Sequence, residues 1–312
     1  MQMLDSVARS TVSSTRAGDS RHTKRDMGAL LGGDAPRTRG WIAEHKWLLL
    51  RRLSQFAIFA LFLAGPLAGV WIVKGNLAAS ETLGVLPLAE PFAVLQSLAA
   101  GETPYRTVLF GAAIVLVLYL IVGGRAYCAW VCPVNIVTDA AAWMRARFGI
   151  RNARSPSSAT RYWLLAGTLA AAFVTGTLAW EFVNPVSMTH RAVIYGGGLA
   201  WGVVTAVFVF DLIVAHRGWC GRLCPQGALY ALLGAASLVR VSAQHRSACD
   251  DCADCYAVCP EPAVIPPALK PRNPQASPVI TAGACTNCGR CIDVCNRDVF
   301  AFTLRFDRRS VP

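Results

Sequence analysis

Eight cysteines in the last quarter of the chain stand at intervals that suit one kind of chemistry. Residues 249–259 read C-D-D-C-A-D-C-Y-A-V-C and residues 285–295 read C-T-N-C-G-R-C-I-D-V-C, two copies of C-x2-C-x2-C-x3-C. Three closely spaced thiolates wrap a tight loop around one iron–sulfur cubane, and the fourth Cys of each run serves the other cluster. The spacing therefore predicts two [4Fe–4S] clusters. One falls to Cys249, Cys252, Cys255 and Cys295, the other to Cys285, Cys288, Cys291 and Cys259. Zinc also takes four thiolates, but its sites present two separated pairs; here a third Cys follows each C-x2-C at once, which favours clusters.

The remaining cysteines form two C-x3-C-P units, Cys128/Cys132 before Pro133 and Cys220/Cys224 before Pro225. Residues four apart share a helix face, so each pair can present two sulfurs together. The prolines suit the first turn of a following helix. The four thiols can converge on a third cluster or a metal ion; alternatively each pair is a redox-active dithiol, or buried structural Cys. All 12 cysteines fall into these motifs. That usage implies metal or redox chemistry on reduced thiols, not a disulfide framework. No C-x-x-C-H is present, so no c-type haem attachment is expected.

The elements that position these residues are membrane helices. The chain of 312 residues is 54% apolar and only 15% charged, with a mean hydropathy of +0.42. Soluble domains carry closer to a quarter charged residues. Uncharged or nearly uncharged runs at Leu53–Val73, Thr107–Gly124, Tyr162–Trp180 and Ala192 to about Ala215 predict four transmembrane helices. The apolar stretch Leu83–Ala100 is interrupted by Pro87, Glu90 and Pro91, and predicts a loop with a short interfacial helix.

The net charge of +12 is spread over loops between apolar runs, which points to a lipid bilayer and away from nucleic acid. Ten Lys/Arg lie in residues 1–52, six between Gly124 and Arg161 and eleven after the fourth run, against two in 74–106 and one in 181–191. The positive-inside rule then predicts a multi-pass protein of the bacterial inner membrane with both termini cytoplasmic. The expected organisation is a basic segment at 1–52, a four-span bundle at 53–240, and a cytoplasmic α+β two-cluster ferredoxin-like domain at 241–312.

The spans form an internal repeat. The second runs into R-A-Y-C-A-W-V-C-P-V-N and an amphipathic segment, Val134–Phe148. The fourth runs into R-G-W-C-G-R-L-C-P-Q-G and Gln226–Val239, a segment short enough to lie on the interface. Two repeated hairpins result, with both cysteine pairs at the cytoplasmic surface. At the outer surface Trp180, Glu181, Asn184 and His190 cluster between apolar runs. A quinol needs hydrogen-bond partners and a proton acceptor, and Glu181 or His190 can serve; an aromatic belt produces the same pattern. Asp250, Asp251 and Asp254 crowd the first cysteine loop, while Arg290 and Arg297 flank the second. Negative neighbours disfavour an added electron, so the Cys249 cluster is expected at the lower potential.

Several longer strings carry a resemblance: H-K-W-L-L-L-R-R-L-S-Q-F, Y-C-A-W-V-C-P-V-N, W-E-F-V-N-P-V-S, G-W-C-G-R-L-C-P-Q-G-A-L-Y and C-G-R-C-I-D-V-C. From about residue 24 to residue 302 the chain resembles the NapH family, the membrane component of the quinol-oxidising branch that feeds periplasmic nitrate reductase. The resemblance implies quinol as electron donor, two [4Fe–4S] clusters, and delivery to a NapG-like periplasmic ferredoxin-type partner or a NapC-like multihaem cytochrome. Maturation and methylamine-utilisation proteins share this architecture. A maturation factor that reduces a client's metal or cofactor, or a membrane redox sensor, are therefore the competing functions. The segment before Lys24, and Asn296 where a Pro is expected, depart from the pattern.

Overall fold

The computed structural model describes residues 40–150, 156–196, 198–273 and 275–307. Most of the basic segment expected at 1–52 and residues 308–312 lie outside the described residues. Helix α1, Lys46–Ala68, is the one helix among the described residues that is long and apolar enough to cross a bilayer. It begins seven residues before the expected Leu53 because its first amides find an acceptor in the C-terminal domain. It stops at Gly69, which is left-handed (φ 72°) and lets its amide and that of Val70 close on Gly65 and Ala64. Val73, expected at the end of this span, instead opens a strand.

The stretch after α1 holds structure that the sequence reading missed. Strands β1 (Val73–Gly75), β2 (Ala79–Thr82) and β3 (Leu86–Ala89) form an antiparallel sheet, with Val73 opposite Thr82 and Ser80 opposite Leu88. These strands are three or four residues long and one contains Pro87, so no alternation marks them. The expected short helix follows as α2, Pro91–Ala99. Helix α3, Arg106–Val122, packs along β3, and Gly111 permits the approach: a Cβ there would lie 2.7 Å from Pro87 O. Helix α4 is Val134–Arg147 and α5 is Thr160–Thr175. Helix α6 is Pro185–Tyr195, and α7, Gly198–Val209, continues through a π turn to Val214. At 16 or 17 residues, α3, α5 and the extended α7 span about 25 Å each, against about 30 Å of hydrocarbon. Phe56, Phe110, Val117, Phe173, Val174 and Leu199 project outward from these helices and α1.

The repeat extends further than the cysteine motifs. Glu90 caps α2 through Oε2, which accepts from Ala93 N at 2.7 Å, and Pro91 occupies the first turn. Asn184 caps α6 through Oδ1, which accepts from Val186 N at 3.1 Å, and Pro185 occupies its first turn. Each half thus carries, in the segment that joins its two longer helices, a short helix with a side-chain cap and an N-terminal proline.

Helix α8, Pro225–Ala236, was expected on the interface, yet Ala228 and Tyr230 are fully buried. Its small residues allow this. Gly234 meets the backbone of Gly283 so closely that a Cβ would lie 2.7 Å from Gly283 O. The C-terminal domain pairs β4 (Val239–Ser242) with β5 (Ala301–Leu304), antiparallel, over a core of Val241, Ile265, Leu269, Ile280, Val299 and Phe300.

Candidate iron–sulfur and thiol centres

The two cysteine loops of the C-terminal domain share one backbone shape. Asp251 and Ala253 in the first loop, and Asn287 and Gly289 in the second, are left-handed at equivalent positions (φ 61°, 65°, 47° and 72°). Such residues turn successive amides toward the loop interior, where an anion is favoured. Cys285, Cys288, Cys291 and Cys259 line one cavity, with Glu261, Ile265 and Ile280 around them. Cys255 has Cys252, Cys295 and Cys249 as its thiol neighbours. Burial first, then these neighbours, pushes the Cys255 thiol up to about 12; burial pushes Cys285 up to about 11. Thiols this crowded ionise together only around a cation, which a thiolate-held iron–sulfur cluster supplies.

The two C-x3-C-P motifs meet in a second cavity. Cys132 N donates to Tyr127 O at 3.0 Å and Cys224 N donates to Trp219 O at 2.9 Å. Both bonds reach back five residues, as in a π turn, so the expected shared helix face gives way to a wider loop. All four cysteines, Cys128, Cys132, Cys220 and Cys224, line this chamber together with Tyr127, Asn184, Trp219 and Gln226. Carbonyls of the first motif are held from α1: Gln55 Nε2 donates to Ala129 O and Cys132 O, and Ser54 Oγ to Trp130 O. The amide of Gly227 approaches Cys224 Sγ at 3.4 Å. Tyr127 Oη and Trp219 Nε1, at equivalent places in the repeat, are both buried.

Three contacts tie the chamber to the cysteine cavity of the C-terminal domain. Arg125 donates to Glu261 Oε1 at 2.9 Å and to Cys220 O at 2.8 Å. Arg161 donates to the same Glu261 oxygen at 2.9 Å. Trp130, between Cys128 and Cys132, donates through Nε1 to Asn287 O at 3.0 Å, between Cys285 and Cys288. The sequence reading passed over these residues. The signal was present in Arg125, which stands three residues before Cys128 as Arg217 stands before Cys220, and in Glu261 of V-C-P-E-P.

The segment expected at the outer surface is folded inward instead. Trp180, Asn184 and His190 are buried, and Asn184 borders the same chamber as the cysteines expected on the opposite face. The chain turns back at Gly176 and returns between the helices, because its polar groups are satisfied there: Trp180 N donates to Gln96 Oε1. Glu181 is engaged on both oxygens, by Asn184 Nδ2 at 2.8 Å and Ser187 Oγ at 2.6 Å. His190 lies edge-on to Phe59 and Phe62, with Nε2 unpartnered. The charges near the clusters also rearrange: Arg297 pairs with Asp250 of the first loop, and Lys270 with Asp251.

The repeat and the cysteine loops define a ferredoxin-type iron–sulfur protein of electron transport. A family model described as a 4Fe-4S binding domain matches residues 107–151 and again 197–242, once in each half. A second, described as a 4Fe-4S dicluster domain, matches 248–299. The methylamine utilization ferredoxin-type protein MauN of Methylorubrum extorquens is 54% identical over 86% of this chain and 92% of its own length. MauN of Paracoccus denitrificans is 54% identical over 86% and 93%. The ferredoxin-type protein NapH of Escherichia coli is 44% identical over 91% and 96%. No solved structure matches the chain. The chain belongs to the NapH and MauN family of ferredoxin-type proteins.

Proposed function

We propose that this chain is an inner-membrane electron-transfer subunit, with four membrane-crossing helices and a cytoplasmic two-cluster domain. It takes electrons from quinol and passes them toward a periplasmic reductase through an iron–sulfur (NapG-like) or multihaem (NapC-like) partner. The observation that carries this reading is the short bridge from chamber to cluster loop, in which Trp130 of the first C-x3-C-P motif bonds to Asn287 of the second cluster loop. Cys249, Cys252, Cys255 and Cys295 hold one [4Fe–4S] cluster, and Cys285, Cys288, Cys291 and Cys259 the other. The chamber thiols hold a third thiolate-bound iron–sulfur centre. The outward apolar side chains of α1, α3, α5 and α7 support four lipid-facing helices, short ones being accommodated by local thinning. His190, with one ring nitrogen unpartnered, is the better quinol contact, since both oxygens of Glu181 are engaged.

The 54% identity to MauN favours a second destination for the same electrons, methylamine utilisation in place of nitrate reduction. Deleting the gene and scoring growth on methylamine against nitrate respiration decides between them. Cys295→Ser and Cys259→Ser test the cluster assignment: each should remove a different one of two paramagnetic signals from the anaerobically reduced protein. Loss of the same signal in both variants would refute the crossed arrangement.

A further inference from the structure

We propose that Glu90 is the proton-binding partner of the four-cysteine chamber, taking up one proton for each electron the chamber receives. The proposal rests on the reading of the chamber as a redox centre. Glu90 is buried, at 7% exposure. Its Oε1 accepts from Tyr230 Oη at 2.9 Å and its Oε2 from Ala93 N at 2.7 Å. These donors are neutral, and no ion pair to Glu90 occurs among the described residues. A buried carboxylate without a cation is costly to keep ionised, so its proton is held or released according to nearby charge.

The path from Glu90 to the chamber is continuous. Tyr230 stacks on Tyr127 with ring centroids 5.1 Å apart. Tyr127 borders the chamber, and its hydroxyl is buried. Gln226 also borders the chamber and lies against both the Glu90 carboxyl and Tyr127. Tyr119, on α3, packs edge-on to Tyr230 and completes the ring of phenols.

The other ionisable groups at hand have charged neighbours. Helix α5, against which α2 packs, contributes Arg161 at its start, and Arg161 is bound to Glu261 together with Arg125. Asp211, another buried carboxyl, is a neighbour of Cys220 and accepts from Trp219 N at 2.8 Å, with Arg217 and Arg145 beside it. Glu90 differs from these groups in meeting only neutral donors, so no fixed cation holds its charge. An electron added to a buried, thiol-lined chamber faces strong Coulomb repulsion, which a proton within the same low-dielectric region offsets. In the step one electron enters the chamber and one proton converts the Glu90 carboxylate to the acid. Reoxidation by the neighbouring clusters releases both, and quinol supplies electrons and protons in equal number.

The test uses the full-length protein, anaerobic in lipid nanodiscs, with a redox titration of the chamber's paramagnetic signal at several pH values. In the wild-type protein the midpoint should fall by about 59 mV for each tenfold drop in proton concentration, the constant for a one-electron couple. Glu90→Gln keeps an acceptor for Ala93 N and can donate its amide to Tyr230 Oη in place of accepting from it, and it should flatten that slope while the signal persists. An unchanged slope in Glu90→Gln, or no slope in the wild type, overturns the proposal. A wild-type protein with iron for two clusters and no third signal overturns the redox reading of the chamber, and the proposal with it. If Glu90→Gln does not fold, Glu90→Asp serves together with infrared difference spectra. A carboxylic-acid band that appears on reduction of the wild type should shift in Glu90→Asp; its absence in the wild type refutes Glu90 as the acceptor.

Discussion

Arg125 Nη1 lies 2.9 Å from Glu261 Oε1, with the arginine side chain 1% and the glutamate 7% exposed. Arg125 stands three residues before the first C-x3-C-P motif and Glu261 two residues after Cys259, so this one pair joins the helical bundle to the cluster-binding domain. Arg161 reaches the same carboxylate oxygen. Three buried charges at one junction add little net stability by themselves, because desolvation offsets their attraction, but they fix which surfaces meet.

Glu261→Gln should therefore cost more than removing the whole triad. It strands two buried guanidinium groups, a loss on the order of 3–5 kcal/mol. Replacing Arg125, Arg161 and Glu261 together with apolar residues of similar size should restore much of that. Denaturation of the detergent-solubilised protein, followed by release of the C-terminal domain to protease, reads both. Equal losses in the single and triple variants would show that the junction does not depend on charge balance.

The same domain also caps the first helix. Asp293 Oδ1 accepts from Trp47 N at 3.0 Å and Oδ2 from Leu48 N at 3.1 Å, satisfying two of the amides that α1 leaves unpaired. Its charge sits at the positive end of the helix. Asp293→Ala should destabilise the docking of α1 on the domain by about 1–2 kcal/mol. Faster hydrogen exchange at Trp47 and Leu48, with β4 and β5 unaffected, is the expected result.

Much of this was legible in the sequence, and the limits have physical causes. The cysteine loops are local, and their spacing reflects the reach of one loop around one cluster. The longer helices showed as uncharged runs of helical length. The sheet β1–β3 did not show, because strands of three or four residues carry no period. Nor did the inward fold of Trp180 and Asn184. Loop charge placed that segment at the outer surface, while Gln96 and the chamber wall, remote in sequence, supply the polar contacts that hold it inside. The role of Glu90 was hidden for the same reason: its partner Tyr230 is 140 residues away.

The cluster loops predict opposite outcomes for two glycine exchanges. Ala253 is left-handed (φ 65°), a conformation that costs a residue with a Cβ about 1–2 kcal/mol. Ala253→Gly should relieve this and slow cluster loss to a chelator. At the equivalent place, Gly289→Ala would put a Cβ 2.5 Å from Trp47 Cγ in addition to the backbone cost. It should speed loss of the cluster on Cys285 and loosen the domain from α1. Equal chelator kinetics in both variants would show that loop strain does not govern retention.

Charge around the two cluster sites sets a final expectation, the order of their potentials. Cys285 has Arg240 and Arg125 among its electrostatic neighbours, and Cys259 has Arg217. The first loop instead exposes Asp250 and Asp251, whose charges are offset by Arg297 and Lys270. Positive, buried neighbours favour the added electron more than screened surface pairs disfavour it. The cluster on Cys285 should therefore have the higher potential, as the sequence led one to expect, but the arginines rather than the aspartates should set the difference. Arg240→Gln should lower the potential of that cluster alone, with Arg240→Lys retaining most of the wild-type value. Asp250→Asn should move the other cluster little. A redox titration followed by paramagnetic resonance separates the two signals, and a larger shift in Asp250→Asn than in Arg240→Gln would return control of the order to the acidic loop.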